Sequence, residues 1–175
     1  LITWILHRNR IRWRDAFGIT RASALHQAGT GLAAYIAAFP ALVFVAAAYQ
    51  ALLNYLGYEP AIQEVALLLS QWKNPWIQGL LWLMAVLLVP CFEEILFRGI
   101  ALPLAARQWG LGPAVLLTSL AFAGIHLELA ALAPLTLIAI GFALVYVYSG
   151  SLLAAITMHA VFNAVSLTML LLLRN

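Results

Sequence analysis

The stretch Cys91–Gly99, which reads CFEEILFRG, places two adjacent glutamates and an arginine in a region whose other residues suit lipid or a protein core. Of the 175 residues in the chain, 65% are hydrophobic and 9% are charged, whereas about 25% of the residues in an ordinary soluble domain are charged. This composition predicts a membrane protein. Because a carboxylate inside a membrane helix is costly unless it is paired or hydrated, the two glutamates are candidates for function.

Long uncharged runs lie on both sides of this stretch and predict the fold. No Asp, Glu, Lys or Arg occurs in residues 22–58, 74–92, 108–125 or 129–173, and about 20 apolar residues suffice for a helix to cross a bilayer. The last run contains the turn sequence Ser-Gly-Ser and therefore holds two passes. We predict an all-α, polytopic transmembrane helical bundle of about five spans, which are Gly31–Leu53, Trp76–Arg98, Leu111–Leu127, Ala131–Tyr148 and Leu152–Leu173.

The remaining segments are predicted to lie at the membrane surfaces. Residues 1–30 hold five of the nine Lys and Arg residues together with several aromatic ones, which is typical of a cytoplasmic or interfacial segment. In so apolar a chain, this cluster does not indicate nucleic-acid binding. We expect Asn54–Pro75 to be an outer connection with a short interfacial helix at Ala61–Trp72, and Gly99–Gly110 to be a cytoplasmic connection. With no repeat dividing the chain, residues 1–175 are expected to form one membrane-embedded domain with a cytoplasmic N-terminus.

Helical geometry assigns the two glutamates different partners. At about 100° per residue, Glu94 and Arg98 are four residues apart and differ by about 40° around a helix, which allows an ion pair on one face. Glu93 lies about 140° from Arg98 and points elsewhere. We therefore interpret Glu94 and Arg98 as scaffold and leave Glu93 for another role. An ion-pair network near a helix end would explain both acids equally well.

Two later spans carry polar groups at the same four-residue spacing. Phe122 precedes His126 by one turn, so it can pack against the imidazole and fix its orientation. His159 and Asn163 project from one face of a helix that is otherwise aliphatic. Each pair alone is also explained by packing or by the interhelical hydrogen bonds that His and Asn commonly form in membranes.

Three spans thus contribute polar groups that a membrane protein can hide only in its interior or in a water-filled cavity. Convergence on one cavity is the simplest explanation. A Glu and a His that share a water provide a general base and its partner for hydrolysing an amide, and a second His with an Asn can donate hydrogen bonds to an oxyanion. Straight helices would place His126 about 20 Å along its span but Glu93 near the cytoplasmic end of its own, so this site requires breaks, for which Pro90 and Gly112-Pro113 are candidates.

These motifs resemble those of the CPBP family of membrane proteins, the CAAX proteases and bacteriocin-processing enzymes, which are also called ABI proteins or type II CAAX prenyl endopeptidases. Each motif is short, but their order and spacing on successive hydrophobic spans are specific. The resemblance covers residues 76–173. Three motifs carry it, namely Glu93-Glu94-x-x-x-Arg98, Phe122-x-x-x-His126 and His159-x-x-x-Asn163.

The resemblance implies a glutamic-type intramembrane endopeptidase. It implies that Glu93 and His126 activate the attacking water and that His159 and Asn163 form the oxyanion site. By the same resemblance, the supporting positions are Glu94, Arg98 and Phe122. We expect an integral, multi-pass protein of a prokaryotic plasma (inner) membrane.

No cofactor is expected. Glu93, His126 and His159 could together satisfy a zinc ion, but the sequence lacks the helical His-Glu-x-x-His arrangement, so metal-independent catalysis is favoured. The expected partners are the lipid bilayer and a membrane-anchored protein or peptide substrate, with or without a prenylated C-terminus, and no nucleic acid. The alternatives are a zinc-dependent form of the same protease, a non-catalytic binding or immunity protein of this family type, and a proton-coupled carrier, since Glu and His also build proton relays.

Overall fold

The computed structural model describes residues 23–58 and 74–173. Most of the predicted basic segment and the predicted interfacial helix Ala61–Trp72 lie outside these residues. Within them the chain is helical, with α1 at Ala24–Tyr55, α2 at Pro75–Trp109, α3 at Leu111–Gly124, α4 at Leu132–Ser149 and α5 at Leu152–Leu173.

The helix lengths confirm the predicted all-α, polytopic membrane fold. Helices α1, α2, α4 and α5 are long and apolar enough to cross a membrane. Helix α3, the third predicted span, is apolar but has only 14 residues. It is therefore shorter than the roughly 20 residues that a full crossing requires.

The turn between α2 and α3 places Glu93 and His126 at similar distances from that turn along their helices. Residues 99–109, which the sequence assigns to a cytoplasmic connection after the span that ends near Arg98, continue α2 as a helix to Trp109. The chain turns at Gly110, whose φ of 82° favours glycine. Glu93 lies about 17 residues before this glycine and His126 about 16 residues after it. Helices α2 and α3 pack together and rise about 1.5 Å per residue. Glu93 and His126 therefore lie at similar depths, and the difference in depth expected from the predicted spans disappears.

Two π-helical segments interrupt α2, and each ends two residues before a proline. Met84–Leu88 precedes Pro90, and Ile95–Ala101 precedes Pro103. Since proline has no N–H and crowds the preceding turn of an α-helix, the wider π turns allow α2 to continue through both prolines. Residues 93–94 lie between the two segments. Such π segments are frequent at functional sites.

Helix α1 packs closely on α5 near the start of both helices. Ser151 caps α5 by accepting a hydrogen bond from the Ala154 N–H (3.2 Å) and donates another to Gln27 Oε1 on α1 (2.5 Å). A Cβ atom at Gly31 would collide with the Ala154 carbonyl oxygen. The close approach of the two helices therefore requires glycine at this position.

The main hydrophobic core draws side chains from all five helices and lies beside the motif residues. Helix α1 precedes the three motifs in sequence but contributes to this core. The core is lined with aromatic rings on the side of Arg98 and His159. Its buried members are Tyr35, Leu42, Phe97, Phe122, Ile138, Ala139, Phe142 and Met158.

Candidate active site

Glu94 and Arg98 form the buried ion pair that their spacing predicts. Arg98 Nη1 lies 2.8 Å from Glu94 Oε1, and the two side chains are 2% and 0% exposed. Arg98 Nη2 also donates a hydrogen bond to the carbonyl oxygen of Ala139 on α4 (2.7 Å). The pair thus joins α2 to α4 in a place where either charge alone would be strongly unfavourable.

His159 on α5 connects the two glutamates. Its Nδ1 lies 2.8 Å from Glu94 Oε1, and its Nε2 lies 3.5 Å from Glu93 Oε2. Because an ionised carboxylate only accepts hydrogen bonds, Nδ1 carries a proton in this arrangement. Sequence reasoning missed the contact between Glu94 and His159, which are 65 residues apart and belong to different motifs.

His126 lies in the turn after α3 and is exposed. Its Nδ1 is 2.8 Å from the carbonyl oxygen of Phe122. Since a carbonyl oxygen can only accept, Nδ1 is the donor, and in a neutral imidazole Nε2 then has an unshared electron pair. Among the described residues, no ion pair or hydrogen bond joins His126 directly to Glu93, whose nearest imidazole contact is with His159. The next residue, Leu127, has the left-handed φ of 53°, which a non-glycine residue rarely adopts.

Phe122 contacts three of the charged or polar groups. Its ring lies 5.0 Å from the His126 ring, as the four-residue spacing predicts, and 5.5 Å from the His159 ring. The guanidinium carbon of Arg98 lies 5.1 Å from the ring centroid of Phe122, within the range of a cation–π interaction. Phe122 therefore fills the space between the motif residues of α2, α3 and α5.

Asn163 reaches the first π segment of α2. Its Nδ2 donates to the carbonyl oxygen of Ala85 (2.9 Å). The N–H of Val89, which an α-helix would direct to Ala85, instead donates to Met84, and Pro90, the next residue, has no N–H. The π segment thus leaves a backbone acceptor that the side chain of Asn163 satisfies.

We expect the replacement of Asn163 by alanine to lower the free energy of unfolding by about 1–3 kcal/mol, because the Ala85 carbonyl oxygen loses its donor. The measurement is thermal unfolding in detergent micelles. Ser166→Ala is the matched control, since Ser166 is an exposed polar residue of the same helix. Equal unfolding temperatures for the two variants would show that the hydrogen bond to Ala85 contributes nothing to stability.

The structure brings Glu93, Glu94, Arg98 and His159 into one group. The polar contacts of the other two motif residues lie outside it, His126 with Phe122 and Asn163 with Ala85. The side chain of Glu93 is 20% exposed, so it is the carboxylate of this group that can meet a small molecule. Across residues 23–58 and 74–173, no cluster of three or more His, Cys, Asp or Glu side chains has the geometry of a metal site. Metal-independent chemistry stays a prediction that requires a direct test.

A comparison with protein families identifies a match over most of the second half of the chain and part of the first. The family model described as type II CAAX prenyl endopeptidase Rce1-like matches residues 75–165, just over half of the chain. These residues include all of α2, α3 and α4 and most of α5. No curated protein and no solved structure matches the chain.

Proposed function

Because the chain belongs to the Rce1-like family of type II CAAX prenyl endopeptidases, we propose that it hydrolyses a peptide bond of a membrane-anchored protein or peptide within the membrane. The observation that carries this proposal is the group formed by Glu93, Glu94, Arg98 and His159 on helices that otherwise suit lipid. Intramembrane groups of this kind are rare and usually functional. A binding or immunity protein would not need such a group.

In the proposed reaction, Glu93 and His126 activate a water molecule. Glu93 is the more exposed of the two glutamates, and the Nε2 electron pair of His126 can accept a hydrogen bond from the same water. The water oxygen attacks the carbonyl carbon of the substrate while its proton moves to Glu93. The C–N bond then breaks, and the nitrogen leaves with that proton as an amine.

The oxyanion that forms in this step is proposed to be stabilised by His159 and Asn163. If both ring nitrogens of His159 carry protons, the charges of two carboxylates, one guanidinium and one imidazolium sum to zero. A neutral group is favoured because burying a net charge is costly. The Nε2–H of His159, which faces Glu93 without substrate, can then donate to the oxyanion. Asn163 has a second Nδ2 hydrogen besides the one that it directs to Ala85.

The test is cleavage by the purified full-length protein in liposomes, with products identified by mass spectrometry. Three peptides of one sequence are compared: a prenylated peptide, the same peptide anchored by a transmembrane helix, and the peptide without an anchor. We expect cleavage of at least one anchored peptide, little cleavage of the free one, and unchanged rates after treatment with a chelator. The prenylated and helix-anchored arms distinguish the two substrate classes.

Two outcomes would change this proposal. Loss of cleavage on chelation, restored by zinc, would identify the zinc-dependent form of the protease, with Glu93, His126 and His159 as the candidate ligands. No cleavage of any anchored peptide by the folded protein would favour the non-catalytic binding protein.

A further inference from the structure

Phe142 on α4 lies against the group of charged residues, although it belongs to none of the sequence motifs. Its side chain is 0% exposed. Its ring is stacked on the His159 imidazole, with 4.5 Å between the ring centroids and 18° between the planes. The guanidinium carbon of Arg98 lies 5.2 Å from the Phe142 centroid. Phe142 therefore contacts both Arg98 and His159, the two residues that donate hydrogen bonds to Glu94 Oε1.

The two nitrogen contacts of His159 do not by themselves fix the imidazole ring. Only the contact of Nδ1 with Glu94, at 2.8 Å, has the length of a good hydrogen bond, whereas Nε2 is 3.5 Å from Glu93. A ring held by one such bond can still turn about it. The Phe142 ring is nearly parallel to the imidazole and prevents it from rotating about this bond on that side. Phe122, whose ring centroid lies 5.5 Å from that of His159 at a T-shaped angle, limits rotation on the other side. An aromatic face also favours an imidazolium over a neutral ring.

We infer that Phe142 is a positioning residue that holds the His159 imidazole with Nδ1 on Glu94 and with Nε2 directed toward Glu93 and the reacting carbonyl group. This inference rests on the proposed function, in which His159 donates to the oxyanion. Phe142 acts on the reaction only through His159 and Arg98. Its flat ring is therefore the required property, and an aliphatic side chain of similar volume does not replace it.

The test compares Phe142→Leu with Phe162→Leu. Phe162 packs on Phe142 with 6.3 Å between the ring centroids, so its replacement also removes an aromatic ring from this core and serves as the matched control. On the anchored peptide that the wild-type protein cleaves, we expect Phe142→Leu to lower kcat about tenfold and to change KM less than twofold. We expect Phe162→Leu to change kcat less than threefold. Phe142→Met, which fills the space with an unbranched side chain, replaces Phe142→Leu if that variant does not fold.

A second readout does not require activity. The ring nitrogens of His159 are observed by NMR in protein with ¹⁵N-labelled histidine, and they are assigned by their loss in His159→Gln. We expect protons on both ring nitrogens in the wild-type protein and in Phe162→Leu. In Phe142→Leu we expect a smaller protonated fraction with averaged nitrogen shifts, because the aromatic face that favours the imidazolium is lost. Nitrogen shifts in Phe142→Leu that equal those of the wild-type protein, or a loss of kcat no larger than that of Phe162→Leu, would overturn the inference. Because the NMR experiment uses no substrate, a failure of the proposed function is distinguishable from a failure of this inference.

Discussion

Replacement of Arg98 with alanine is expected to lower the free energy of unfolding by about 3–5 kcal/mol, the range for breaking a buried ion pair by removing one partner. Glu94 is fully buried, and both Arg98 and His159 lie 2.8 Å from its Oε1. Without the guanidinium, His159 is the one donor left to the Glu94 carboxylate among residues 23–58 and 74–173. The Ala139 carbonyl oxygen on α4 also loses its contact with α2.

Thermal unfolding in detergent micelles measures this effect. Arg107→Ala is the matched control, because Arg107 is exposed on the same helix and exposed ion pairs contribute less than about 1 kcal/mol. The double variant Glu94→Leu/Arg98→Met removes both charges, and we expect it to be more stable than Arg98→Ala, since apolar residues can replace a whole buried pair at little cost. An Arg98→Ala protein as stable as Arg107→Ala would contradict the scaffold role of this pair.

Replacement of His126 with glutamine in a protein that already carries Glu93→Gln is expected to cost no further activity. Each single replacement should lower kcat/KM by about 10²–10⁴-fold, the range for loss of a general acid or base. If Glu93 and His126 act on the same water, the second replacement removes an interaction that the first has already disabled, so the losses are not additive.

The measurement is a double-mutant cycle on the anchored peptide that the wild-type protein cleaves. Glu128→Gln is the control, because Glu128 lies two residues from His126 but takes no part in the proposed reaction. We expect its kcat/KM to stay within about threefold of the wild-type value, since it removes no transition-state contact. Losses that multiply in the double variant would mean that Glu93 and His126 act in separate steps.

Contacts within one turn of a helix were predictable from the sequence, because four-residue spacing places two side chains on one face. The ion pair of Glu94 with Arg98 and the contact of Phe122 with His126 are both present in the structure. The lengths of the uncharged runs were likewise sufficient to predict an all-α membrane protein.

The course of α2 was not predictable from the same signals. Gly99 and Pro103 normally indicate a helix end, and here they lie inside or next to a π segment that lets the helix continue. Neighbouring helices and local π turns make such residues tolerable in membranes. The consequence bears on the proposed reaction, because the longer α2 places Glu93 and His126 at similar distances from the turn at Gly110.

Contacts between residues that are far apart in the sequence could not be predicted either. The hydrogen bond of His159 with Glu94, the stacking of Phe142 on His159, and the bond of Asn163 to Ala85 each depend on how α2, α4 and α5 pack. Phe142 lies in an apolar helix where one more aromatic residue carries no local signal. The sequence therefore identified the polar residues of the predicted spans as candidate site residues. It did not predict that His159 lies between the two glutamates.

The most direct test of the central claim is the rate at which the wild-type protein and Glu93→Gln cleave one membrane-anchored peptide in liposomes, with the new carboxyl terminus identified by mass spectrometry. Glutamine keeps the size of the side chain but is not a base that can accept the proton of water. We predict a product with the wild-type protein and a rate at least about 10²-fold lower with the folded Glu93→Gln variant. Equal rates for the two proteins would contradict the assignment of Glu93 as the residue that activates water.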